Sequence, residues 1–323
     1  MDALATAPDG VRQPVVVQPV VLQAGNEGAG KRALITGLRG FTGRYVAQEL
    51  AAAGYHVFGT ATHGEQAGDD VLQVDLCDRD AVHAMVAQVQ PDVVVHLAGI
   101  ASVAHTNVDQ IYRVNIVGTR NLLEALAAQA KAPSAVLLAS SANIYGNTGQ
   151  GVLGETTPPA PANDYAVSKL AMEHMAQLWS DKLPLITVRP FNYTGVGQSE
   201  QFLLPKIVGH FRRAAPVIEL GNLAIARDFS DVRIVAASYR RLLQACPAGQ
   251  TFNVCSGTAH SLSDVIALMS SIAGYQIDVR VNPAFVRAKD VLTLSGDRQR
   301  LDGAIGAITP VPLADTLRWM YEA

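Results

Sequence analysis

The chain lacks the marks of a disulfide framework, a metalloprotein, a membrane protein or a nucleic-acid binder. Its three cysteines, Cys77, Cys246 and Cys255, are odd in number and have no metal-ligand spacing. They fit a reduced compartment such as the cytoplasm better than a disulfide scaffold. The eight histidines form no H-E-x-x-H or clustered pattern, so no metal site is expected. His96, inside Val95-His96-Leu97, reads instead as a satisfied buried side chain. No uninterrupted apolar run of about 20 residues occurs, so no membrane span is expected. A net charge of −3 leaves no electrostatic footprint for nucleic acid. What is present is a chain of 323 residues, 49% hydrophobic and only 16% charged. That suits a large, well-packed enzyme rather than a disordered or fibrous protein.

Residues 1–30 contain Pro8, Pro14 and Pro19 and close on a glycine-rich run. They carry no basic n-region or cleavage site and are expected to be a flexible extension, an added edge strand being the alternative. From Lys31 the pattern alternates. Strands are expected at Arg32–Thr36, His56–Thr60, Val71–Val74, Asp92–Leu97, Ala135–Ser140 and Leu185–Arg189. Helices are expected at Phe41–Ala53, Arg79–Val89, Gln110–Gln129 and Tyr165–Ser180. Repeated strand and helix imply a doubly wound, Rossmann-like parallel sheet over residues 31–190. Residues 191–323 read mainly as a smaller substrate-binding lobe, with residues 228–255 returning to the first domain through a helix over Asp228–Cys246.

Gly37, Gly40 and Gly43 follow the first strand and open the first helix. This spacing lets a pyrophosphate approach the backbone and rest on a helix N-terminus. Asp75, after the third strand, is placed to accept from adenine or, equally, to cap a helix. The second strand ends Gly59-Thr60-Ala61-Thr62-His63, without the acid that usually receives an NAD ribose. Arg39, inside the glycine turn, can meet a 2′-phosphate or simply face solvent. Together these favour NADP(H), with NAD(H) possible. Tyr165 and Lys169 lie four apart, on one helix face. An ammonium beside a phenol favours the phenolate, so this tyrosine is expected to exchange protons near neutrality. Ser141, in Ser140-Ser141-Ala142-Asn143, is placed to orient a substrate carbonyl or to cap backbone.

Gly37-x-x-Gly40-x-x-Gly43, Asp75, Leu97-Ala98-Gly99, Asn115, Ser141, Tyr165 and Lys169 occur in an order that resembles the extended short-chain dehydrogenases/reductases. Arg189-Pro190-Phe191-Asn192, Arg227-Asp228-Phe229 and Phe252-Asn253-Val254 resemble the nucleotide-sugar branch, most closely its GDP-6-deoxy-4-keto-mannose reductases. The resemblance implies Ser141, Tyr165, Lys169 and Asn115 as catalytic. It implies a cofactor wall of Gly37, Arg39, Gly40, Phe41, Gly43, Thr60, Asp75, Leu76, Leu97, Ala98, Gly99, Tyr165 and Lys169. It assigns Ser102, Ser141, Asn143, Asn192, Arg227 and Arg287 to a GDP-linked sugar. It also implies a homodimer with a four-helix interface. Dehydratases of this branch carry an acid–base pair after the hydroxyl residue, and Ala142-Asn143 cannot replace it. The implied activity is reduction of a GDP-6-deoxy-4-keto sugar by NADPH in surface polysaccharide precursor synthesis. A nucleotide-sugar 4-epimerase retaining NAD is the alternative, and a non-catalytic nucleotide-binding scaffold is a third reading.

Overall fold

The computed structural model describes residues 25–62, 68, 70–101, 107–146, 151–285 and 293–323. The chain runs β1 (Arg32–Thr36), α1 (Phe41–Ala52), β2 (His56–Ala61), β3 (Val71–Gln73), α2 (Arg79–Val89), β4 (Val93–His96), α3 (Val108–Tyr112), α4 (Thr119–Ala127) and β5 (Ala135–Ala139). It continues with β6 (Gly151–Leu153), α5 (Asp164–Ala176), β7 (Leu185–Pro190), β8 (Asn192–Thr194), α6 (Leu203–Arg212) and β9 (Val217–Leu220). Then come β10 (Ala226–Asp231), α7 (Val232–Ala245), β11 (Gln250–Val254), β12 (Ala259–Ser261), α8 (Leu262–Ala273), β13 (Asp278–Val281), β14 (Thr293–Gly296), α9 (Gln299–Ile305) and α10 (Leu313–Glu322).

Seven strands form a parallel sheet in the order β3-β2-β1-β4-β5-β7-β11. Strand order reverses direction at β1 and β4, the switch point where open α/β sheets bind ligands. The central strands read as continuous apolar runs because helices cover both faces. On one side Ala33, Ile35, Val95 and Leu137 pack against Val46 and Leu50 of α1 and Val235 and Leu242 of α7. On the other, Leu34, Val94, Val136 and Leu138 meet Val86 of α2, Leu122 of α4 and Met172 of α5. A smaller mixed sheet runs β12-β10-β14-β6, with β8 added to β10, and β9 pairs with β13. This second group packs its own core around Ile207, Phe211, Val265 and Leu317.

Some expected elements differ in the structure. Residues 226–231 form strand β10, so the helix expected from Asp228 starts at Val232, with Asp231 as its N-cap. The single helix expected over Gln110–Gln129 is interrupted by a π-helical turn at Arg113–Gly118. Within the expected flexible extension of residues 1–30, residues 25–30 are tied down. Gly28 N donates to Ala53 O at 2.9 Å, and Glu27 pairs with Arg240.

Candidate active site

The glycine turn leaves β1 with Gly37 at φ +73°, in the left-handed region that favours glycine. A Cβ there would stand 3.0 Å from the Ala98 backbone, and one at Gly43 would strike the carbonyls of Gly37 and Leu38. Gly40 differs, since a Cβ would meet only Gly37 O at 3.1 Å. Gly37 and Gly43 thus serve close packing, while Gly40 leaves exposed backbone at the start of α1, where a pyrophosphate can rest. Thr60 steadies the turn, its hydroxyl accepting from Gly37 N at 3.1 Å. The chain therefore presents a cradle that fits a dinucleotide.

Leu97-Ala98-Gly99 leaves β4 beside this turn. A Cβ on Gly99 would lie 2.8 Å from Asn115 Oδ1 and 3.3 Å from Lys169 Nζ, so three expected site residues converge on one point. Asn115 sits in the π-helical turn, a distortion frequent at functional sites. Its Oδ1 accepts from Ile100 N at 2.8 Å and its Nδ2 donates to Ile100 O and Ser168 Oγ. Ser168 Oγ in turn donates to Tyr165 O at 2.7 Å. The amide is thus locked against the helix carrying Tyr165 and Lys169.

That helix, α5, is capped by Asn163, whose side chain accepts from Ala166 N. It brings Tyr165 to Ser141 at the end of β5, where the two hydroxyls are hydrogen-bonded. Burial pushes the Tyr165 phenol up to about 12, the bond with Ser141 opposing. Burial also pulls Lys169 down to about 8, with Glu173 opposing, and its Nζ donates to Ala139 O at 2.9 Å. The expectation of a phenol drawn towards neutrality is not met. Desolvation disfavours the charged form of both groups and is the largest cause of each shift. As it stands, Tyr165 is an acid that keeps its proton.

His96 is buried, with Nδ1 2.7 Å from Thr36 Oγ1 and Nε2 2.7 Å from Thr119 Oγ1. Thr119 donates to Asn115 O, so it accepts from the ring, which places the ring proton on Nε2. Nδ1 then accepts from Thr36, which itself accepts from Ala98 N. Burial, helped by Lys169, holds the imidazole neutral with its pKa down at about 3.

The remaining expected residues are placed as follows. Arg39 is exposed in the glycine turn, and Leu76 is buried beside Gly118. Phe41 stacks on Tyr193 at 6.1 Å. Asp75 is exposed and accepts from Cys77 N at 2.8 Å, so one oxygen already caps local backbone. Asn143 is exposed, its N–H donating to Ser141 Oγ at 3.1 Å. Asn192 leaves β7 exposed, its amide donating to Asp228 O at 3.2 Å, and Arg227 follows on the neighbouring β10. Ser102 and Arg287 lie outside the described residues. Among those described, no group of three or more His, Cys, Asp or Glu residues could hold a metal, and no helix is long and apolar enough to cross a membrane.

Two neighbours of the site went unread in the sequence. Tyr193 hydrogen-bonds Thr42 of α1 at 2.8 Å and is close enough to Tyr165 to add to its upward shift. It belongs to no recognisable motif. Glu173 receives Arg189 through two bonds of 3.0 and 2.7 Å, and Arg189 reaches on to Tyr145 and Glu155. Its position four residues beyond Lys169 was the available signal, since that spacing shares a helix face.

The profile of the NAD dependent epimerase/dehydratase family matches residues 33–255. A GDP-6-deoxy-D-talose 4-dehydrogenase of Aggregatibacter actinomycetemcomitans is 34% identical over 84% of this chain and 90% of its own. A GDP-6-deoxy-D-mannose reductase of Pseudomonas aeruginosa is 32% identical over 89% of this chain and 95% of its own. Among solved structures, a Burkholderia cenocepacia J2315 protein described provisionally as an epimerase is 57% identical, with a TM-score of 0.88 over 91% of this chain and 98% of its own. RMD from Pseudomonas aeruginosa, complexed with NADPH, is 30% identical, with a TM-score of 0.79 over 90% and 97% of the two chains. With the cradle, the hydroxyl pair and the buried lysine in place, the chain belongs to the NAD dependent epimerase/dehydratase family and is an NAD(P)-dependent enzyme.

Proposed function

We propose that the protein reduces the C4 keto group of a GDP-6-deoxy-4-keto sugar, with NADPH as reductant. The observation that carries this reading is the Ser141–Tyr165 hydroxyl pair, in which a buried phenol keeps its proton well above neutral pH. Such a phenol is suited to deliver a proton to an alkoxide. A 4-epimerase would use the same Ser141, Tyr165 and Lys169, and it differs in needing NAD retained through both half-reactions. The neighbouring Ala142 and Asn143 offer no acid–base pair for dehydration. The two relatives named for GDP-6-deoxy sugars support both the nucleotide and the C4 chemistry.

The residues that would hold the dinucleotide are Gly37–Gly43, Asp75, Leu97–Gly99 and Lys169. The missing acid after β2, Arg39 in the turn and the NADPH complex of the RMD structure favour the phosphorylated cofactor. When bound, the nicotinamide supplies the hydride. Ser141 orients the carbonyl oxygen, and Tyr165 gives its phenolic proton to that oxygen as charge develops. Lys169, still cationic below about pH 8, steadies the resulting phenolate. Asn115 and Ser168 hold α5 so that the proton can be replaced. Asn192 and Arg227 meet the sugar diphosphate, with Ser102, Asn143 and Arg287 as further expected contacts.

A homodimer belongs to the same reading. Val108, Val117, Val167 and Leu178 are exposed on α3, the π-helical turn, α5 and the short turn after it. Two such faces make a four-helix contact, and light scattering should give twice the chain mass.

The test is NADPH consumption on addition of freshly prepared GDP-4-keto-6-deoxy-mannose, with NADH alongside. Stoichiometric consumption is expected, and Tyr165→Phe should lower kcat by about 10²–10⁴-fold. No consumption with either coenzyme, together with NAD retained in the purified protein, would favour the epimerase.

A further inference from the structure

Below the candidate sugar-diphosphate contacts lies a carboxylate that the proposed reaction does not use. Asp228 is fully buried, yet among the described residues no Lys, Arg or His pairs with it. Instead it collects four neutral donors. Oδ1 accepts from Ser256 N at 2.8 Å and Ser256 Oγ at 2.7 Å. Oδ2 accepts from Gly257 N at 2.9 Å and Gly296 N at 3.3 Å. Its own carbonyl receives the Asn192 amide. Four such donors fill the lone pairs that burial would otherwise leave unmet.

These bonds gather four separate segments. Asn192 opens β8, Arg227 precedes Asp228 on β10, Ser256 and Gly257 follow β11, and Gly296 ends β14. The joint is tight. Gly257 has φ +81°, and a Cβ on Gly296 would fall 2.6 Å from Cys255 Sγ and 2.7 Å from Phe191. Asp228 cannot bind a phosphate itself, because like charges repel and its oxygens are already occupied. Its effect on an anionic ligand must pass through the groups it holds.

We propose that Asp228 is the positioning residue for the nucleoside-diphosphate half of the substrate. Its carboxylate pins the turn after β11 and the end of β14 onto β10, the strand that carries Arg227 and whose main chain holds Asn192. The inference rests on the nucleotide-sugar reading above. It assigns substrate affinity, rather than hydride transfer, to this residue.

The test is calorimetric binding of GDP, UDP and dTDP to the full chain, followed by the same titration of Asp228→Asn with the tightest of the three. NADPH binding is measured in parallel by fluorescence. Asp228→Asn should raise the Kd for the diphosphate, and the KM for the nucleotide sugar, by about tenfold or more. The Kd for NADPH should stay unchanged and kcat should fall far less. Parallel weakening of both ligands would mark a merely structural residue and overturn the proposal, as would an unchanged diphosphate Kd. Should Asp228→Asn show no cooperative melting, Ser256→Ala decides, because it keeps the carboxylate and removes one donor. It should weaken the diphosphate alone by about threefold, and no weakening overturns the proposal. If the wild-type chain binds none of the three diphosphates, the nucleotide-sugar reading falls first and the inference falls with it.

Discussion

The inward-facing residues of β1, β4 and β5 are almost all aliphatic, whereas β10 of the smaller sheet buries Asp228, Ser230 and Asp231 around a single Phe229. The larger sheet is held by two apolar layers and an unbroken parallel ladder. The smaller one adds individual polar bonds to its own apolar core. Asp231, for example, takes three from Arg233 and one from Thr316. Apolar layers tolerate exchange of one aliphatic residue for another of similar volume. A carboxylate with four donors has no such substitute, so the smaller sheet carries positions that tolerate exchange less.

His96 lies fully buried at the end of the apolar strand β4, and it should give the largest effect. Its folded pKa is depressed from 6.5 to about 3, so above pH 6.5 the ring is neutral in both states and its contribution is complete. As pH falls, the unfolded chain takes a proton that the folded chain refuses. By about pH 3 this removes about 5 kcal/mol of stability. Urea titrations of wild type and His96→Gln at stepped pH should differ by that slope, and parallel curves would refute it.

Next in size is Glu173→Ala, at the seam between the two regions. Arg189 would be left buried without its partner, costing about 4 kcal/mol in a melting experiment. In the apolar layer, Leu122→Ala should cost about 3 kcal/mol and be insensitive to salt and pH. A salt-dependent loss there would erase the contrast between the lobes. The smallest effect belongs to the exposed capping box that starts α8, where Ser261 and Asp264 bond each other's backbone. Ser261→Ala should cost about 1 kcal/mol.

The same contrast explains what could be read from the sequence. The parallel-sheet strands from Arg32 to Pro190 were legible because Val-rich runs and glycine punctuation reflect a repeated packing rule, whereas the three-residue β6 was not expected. The convergence of Tyr165, Lys169 and Ser141 was legible because helix spacing and strand-end position are local properties. Their protonation was not, since burial is set by residues distant in sequence. The π-helical turn escaped for a similar reason, as it accommodates bonds from Asn115 to Ile100 and Ser168. In the smaller lobe Asp228 reads as the start of a helix, and only its ladder partners and its donors at 256, 257 and 296 reveal a strand with a buried carboxyl group.

The chain of bonds from Ala98 through Thr36, His96 and Thr119 to Asn115 has one further consequence. Each hydrogen in it has a single allowed position, and reversing one bond would require reversing its neighbours as well. The imidazole is therefore a spacer with one setting, storing no alternative proton arrangement. Its Nε2 proton should give one sharp, slowly exchanging magnetic resonance signal. Broadening of that signal would report the moment at which β1, β4 and α4 part company.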